Sequence, residues 1–237
     1  HEAAQVRAAC LALQHLERIH GAGGRVSVLR HLAWTHAVYP RIAHTSLGEN
    51  LPYYAGETAY GWWLESGDPV LAQRAETLLR AVVRRHPHTE LWDEALWRLS
   101  HLYLRQGRYD AMIVAIQHIQ STREVSNFVG NYEHTYYWVG QLRIARVQMI
   151  EMDDPRAAAE TYVWFLDTYL QSRWRDDALF WQGCAYLRAG DPRAAEASFA
   201  QIPDAYDESK YLRRLDAARA DPSSEICDPK DFEESEW

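Results

Sequence analysis

The chain has 237 residues, 47% of them apolar and 24% charged, which gives enough material for a core and excludes disordered, collagen-like and disulfide-scaffold classes. Its net charge of −8 sits mostly at one end: from Asp221 to Trp237 seven acids stand against Lys230 alone, which leaves about −2 on the body. A near-neutral body offers no broad basic footprint for a phosphate backbone, so nucleic acid is not an expected partner, and no run approaches the ~18–20 apolar residues of a bilayer span.

In chain order, Ala3 to His20 and Arg25 to Tyr39 read as two helices split by Gly21-Ala22-Gly23-Gly24. They predict an N-terminal capping pair over 1–45, whose second helix ends at Pro40. Ser46 to Gly56, with Gly48, Pro52 and Gly56, reads as an irregular connection. Next comes the turn Gly67-Asp68-Pro69, which returns as Asp153-Asp154-Pro155 and Gly190-Asp191-Pro192, with a fourth turn at Gln106 to Asp110. Where the triplet occurs, aspartate suits the N-cap, and proline suits the first helical residue because its missing donor would be unpaired there anyway. Each such triplet predicts a helix start.

The flanks of these turns are helical in period. Leu96, Leu99, Leu102 or Tyr103 and Gln106 form one stripe, and Leu179, Gly183, Tyr186 and Leu187 form another. After the turns, Ala158, Tyr162 and Phe165 match Ala195, Phe199 and Ile202 in spacing, with Met112, Ile116 and Ile119 as a looser copy. Tyr206 to Ala220 predicts a C-terminal capping helix (205–220), and 221–237 an acidic, flexible tail. The three cysteines, Cys10, Cys184 and Cys227, permit at most one intramolecular disulfide and leave the redox compartment open.

The segment DALFWQGCAYLRAGDPRAAEASF, Asp177 to Phe199, resembles a tetratricopeptide repeat: Gly183, Tyr186, Gly190, Ala195 and Phe199 stand at that family's small, aromatic, turn, small and aromatic positions. A second copy runs from Glu94 to Ile119, with Ser100 and Met112 in place of two small residues. Two degenerate copies cover Gly140 to Leu170 and Thr58 to Pro87. The resemblance implies about four repeats over 57–203 and an all-α, right-handed solenoid of antiparallel helix pairs. Such pairs cannot bury their apolar faces singly, and stacking them leaves an extended concave surface. A weaker similarity to bacterial cell-envelope members of the family, of the Tol-Pal division-coordinator and outer-membrane assembly lipoprotein type, implies a periplasmic or outer-membrane-associated subunit. The sequence opens on His1, as a chain trimmed of a targeting segment would.

In the resembled family the groove is lined by the first helix of each pair. That register gives Trp97, His101 and Arg105 from one copy and Phe180, Cys184 and Arg188 from another. Arg143 and Val147 come from the degenerate copy and Trp62 from the earliest. A spacing of four keeps each trio on one helical face. Each runs aromatic, small or polar, then arginine, which predicts a protein or peptide partner held by apolar anchors and guanidinium forks. The lysine and asparagine with which the family clamps a terminal carboxylate are missing from these positions, so an internal or apolar segment is the expected ligand. Trp164 and Trp181 read as structural, since aromatic residues at helical spacing are more often core than anchor.

Chemistry is not expected. His86, His88 and Glu90 are the closest set of metal-ligand types, but no HExxH or paired CxxC element accompanies them. No GxSxG elbow is present, the Gly21 to Gly24 stretch lacks the Lys-Ser or Lys-Thr of a phosphate loop, and Cys184 reads as a small packing residue. The prediction is a scaffold or adaptor without cofactor. A cytoplasmic module regulating an enzyme partner and a helical metal-dependent hydrolase are the alternatives.

Overall fold

In a computed structural model the described residues are 25–45, 48–87, 89, 91–121, 135–202, 209–220 and 227, with isolated positions 7 and 11. Ten helices occur among them, and no strand: α1 (Arg25–Ile42), α2 (Asn50–Ser66), α3 (Pro69–Arg85), α4 (Trp92–Arg105), α5 (Tyr109–Ser121), α6 (Thr135–Ile150), α7 (Pro155–Thr168), α8 (Arg175–Arg188), α9 (Pro192–Phe199) and α10 (Lys210–Ala220). The fold is all-α, built from helix pairs of the tetratricopeptide type. Two compact units divide the chain, residues 1–124 and 125–237. The first helix proposed for the N-terminal capping pair, except Arg7 and Leu11, and all of the acidic tail except Cys227, lie outside the described residues.

Within each unit α1 to α5 and α6 to α9 pack each on its sequence neighbour, as short links between antiparallel helices require, while α10 packs on α8. The pairs α2/α3, α6/α7 and α8/α9 close on one piece of local chemistry. Asp68 accepts from the Val70 amide, Asp154 from Ala157 and Asp191 from Ala194, each at 3.0 Å, and proline follows as the first helical residue. One residue earlier the backbone is left-handed: φ is 68° at Gly67, 52° at Asp153 and 77° at Gly190. The α4/α5 turn repeats the left-handed residue at Gly107, φ 68°, without the aspartate-proline pair.

Two elements differ from expectation. Residues 50–56 are helical and not irregular, because Pro52 falls in the first turn of α2, where no backbone donor is needed. Gly56 in the same helix is a packing residue: a Cβ there would stand 2.8 Å from Leu79 Cγ of α3. The helix α1 runs past Pro40 to Ile42 and ends two residues later than predicted, since a proline in the last turn deletes only one ladder bond.

The first unit's core is lined by Leu51, Ala55, Leu71, Leu79, Leu99 and Ile116, among others. In the second, Ala158, Tyr162, Phe165, Phe180, Ala195 and Phe199 form one cluster that also takes in Tyr211 and Leu215 of α10. Here Gly183 has the role its motif position implied. A Cβ on it would lie 2.2 Å from Phe199 Cε1, so only glycine lets the α9 ring sit against α8.

Candidate functional site

The face of interest in the first unit is the solvent side of α2 and α4. Burying Leu96, Leu99, Leu102 and Tyr103 on one side of α4 leaves Trp97, His101 and Arg105 on the other. Trp97 and His101 are half-buried and touch edge to face at 5.1 Å; Arg105, a turn further on, is exposed. Trp62 of α2 is half-buried as well. Arg98 ties the two helices together, donating to Glu57 of α2 and lying 4.9 Å above the Tyr60 ring. Burial disfavours the Arg98 charge, but the Glu57 carboxylate outweighs it and the pKa ends raised. The face is therefore a rigid aromatic and cationic strip.

A polar knot joins α3 to the α4/α5 turn. Glu76 accepts from Arg108 at 2.7 and 3.1 Å, from Tyr103 Oη at 3.2 Å and from Arg80 at 3.3 Å. The Arg108 hydrogen bond holds the Glu76 carboxyl below its usual range, against a smaller opposing push from burial. The sequence reading missed this knot, since its members come from three separate segments.

In the second unit the same register gives a different surface. Phe180 and Cys184 have no exposed area, and Cys184 is bonded to Cys227 across 43 residues of sequence. Tyr211 of α10 stacks on Phe180 at 4.2 Å, and Arg214 lies 4.8 Å above the same ring. Arg188 is exposed, 3.5 Å from Asp153. Arg143 and Val147 of α6 are buried, at 8% and 0% exposure. Trp181 lies in the core as expected, whereas Trp164 stays 42% exposed on the outer side of α7, edge to face with Tyr169.

Around the start of α8, Asp177 accepts from Tyr211 Oη at 2.6 Å and faces Lys210 Nζ at 3.6 Å, while Ser209 Oγ donates to Asp176 at 2.8 Å. Burial pushes the Asp177 carboxyl up to about 6, with the Tyr211 hydrogen bond opposing it. Asp176, Asp177 and Lys210, with Arg173 and Trp174, border a shallow cleft of about 470 Å³.

Of the three candidate metal ligands, His86 bonds Tyr39 Oη of α1 at 2.9 Å, and its pKa is lowered, chiefly by burial. His88 and Glu90 lie outside the described residues. Among the described residues no group of three His, Cys, Asp or Glu side chains is placed to share a metal ion, and no helix is long and apolar enough to cross a membrane.

Helix pairs closed by left-handed turns, with small residues at the crossings, define a repeat protein of the interaction-scaffold class. Residues 177–209 match the tetratricopeptide-repeat family. Two solved structures share the fold. MamA from AMB-1 aligns with a TM-score of 0.52 at 11% identity, over 91% of this chain and 98% of its own. A Podosopora anserina protein assigned as a kinesin light chain, with nearly identical TPR-like repeats, aligns with a TM-score of 0.50 at 14% identity, over 90% and 96%. No curated protein matches the chain in sequence. A tetratricopeptide repeat thus stands at residues 177–209, and the chain around it shares the helical fold of those two structures.

Proposed function

We propose that the chain is a non-catalytic scaffold that captures an internal, largely apolar segment of a protein partner on the α2/α4 face. The observation that carries the reading is the placement of Trp97, His101 and Arg105 on three successive turns of α4, on the side that the core leaves open. Trp97 and Trp62 supply apolar area that costs little side-chain entropy to order, and Arg105 supplies a fork for backbone carbonyls or a carboxylate. A cell-envelope setting is favoured by the Cys184–Cys227 disulfide, since such bonds persist in oxidising compartments.

The test is capture of native partners by the full chain carrying Trp97→Ala and Arg105→Ala, compared with wild type by quantitative mass spectrometry. The variant should lose at least about tenfold of the captured protein while keeping its helical circular dichroism, as loss of a central aromatic anchor does at other interfaces. Undiminished capture overturns the assignment of the face.

A further inference from the structure

The first-helix face of the second unit is already occupied, and the occupant belongs to the same chain. The short helix α10 packs on α8 and buries two side chains one turn apart in the unit's apolar cluster. Tyr211 stacks on Phe180 at 4.2 Å with 17° between the rings, and Leu215 is 3% exposed. Polar contacts fix its start: Tyr211 Oη on Asp177, Lys210 facing the same carboxylate, and Ser209 on Asp176. Beyond its end, Cys227 is bonded to Cys184, which lies one turn after Phe180 on α8. A helix of 11 residues is marginal alone, so α10 depends on its seat.

We propose that the α8 face is a helix-docking surface, that α10 fills it as a tethered pseudo-ligand, and that the Cys184–Cys227 disulfide clips it shut. The partner that replaces α10 has the chemistry α10 displays: an amphipathic helix with an aromatic residue and a leucine at i and i+4, and a basic residue beside the aromatic one to meet Asp177. This rests on the reading of first-helix faces as binding faces.

Opening the clip is thiol–disulfide exchange. Cys184 has no exposed area and Cys227 is half-exposed, so a small thiolate attacks the Cys227 sulfur and Cys184 leaves as thiolate. A second thiolate of the reductant then attacks the mixed disulfide and releases Cys227. Two electrons pass from the reductant, a monothiol pair or a dithiol, to the two cysteines, which take up protons, and the reductant departs as its own disulfide.

Hydrogen exchange of the full chain reads the clip. Amide exchange over 210–220 should quicken at least tenfold on adding dithiothreitol to the wild type, and in Cys227→Ser without reductant, while α2 to α5 stay unchanged. Unaltered exchange over 210–220 in both overturns the clip. A synthetic peptide covering residues 210–227, with its cysteine activated as a mixed disulfide, reads the docking surface by its rate of attachment to Cys184 in full-length Cys227→Ser. Attachment should be at least tenfold slower when the peptide's tyrosine and leucine, at the positions of Tyr211 and Leu215, are replaced by alanine; equal rates overturn the surface. Neither measurement involves Trp97 or Arg105, so failure here is separable from failure of the α2/α4 face.

Discussion

At Gly183 and Phe199 one absent methyl group decides how closely two helices approach. Gly183→Ala puts a Cβ 2.2 Å from the Phe199 ring, and overpacking of that kind costs about 1–3 kcal/mol; urea unfolding should show the loss. At Gly190 the constraint is the left-handed φ alone, because nothing lies within 4 Å of the missing Cβ. Asp153 occupies the same left-handed position in its own turn. Asp153→Gly should therefore be neutral to stabilising by up to ~1 kcal/mol, since the exposed Arg188 contact it removes contributes little.

Two carboxylates give opposite pH signatures. Glu76 is depressed by Arg108, so its contribution is complete above the unfolded carboxyl pKa and vanishes as pH falls through the lower folded value. Glu76→Gln should destabilise by about 1 kcal/mol at pH 7, with the gap to wild type closing in acid. Asp177 is raised to about 6 by burial and faces Asp176, Lys210 and Tyr211, with the Tyr162 hydroxyl also coupled to it. The folded state then holds a proton that the unfolded state has lost between about pH 4 and 6, so stability falls across that window and levels off above it. Asp177→Asn should flatten this slope, which denaturant midpoints at pH 4.5 and 7.5 will measure.

At the scale of elements, the helix starts were legible where aspartate and proline coincide, because cap and first residue are chosen by local chemistry alone. Asp191→Ala should cost about 1 kcal/mol, with α9 fraying first in hydrogen exchange. The start of α2 was not legible. Pro52 and Gly56 carry the composition of a connection, and only tertiary placement shows one to be a first-turn proline and the other a crossing glycine. The trios on α4 and α8 share a register in sequence but differ in surroundings. What covers Phe180 is a helix some thirty residues later, and no local pattern announces a contact across that separation.

At the scale of the whole chain, both cysteines of the disulfide fall within 125–237. Expressed separately, 1–124 and 125–237 should each show helical circular dichroism. Reduction should lower the stability of the second fragment alone, by about 2–4 kcal/mol if chain entropy sets the scale for a loop of 43 residues. Heating the two fragments with and without reductant makes the comparison.

The recurring left-handed turn has a further consequence. Since Asp68, Asp154 and Asp191 each cap a helix using only their own neighbours, no hairpin needs instruction from another to reverse direction. Such a chain grows by copying: duplicating Asp153 to Ala189, one full period from one left-handed residue to the next, would add a module that already knows where to bend, lengthening the array without redesigning any joint.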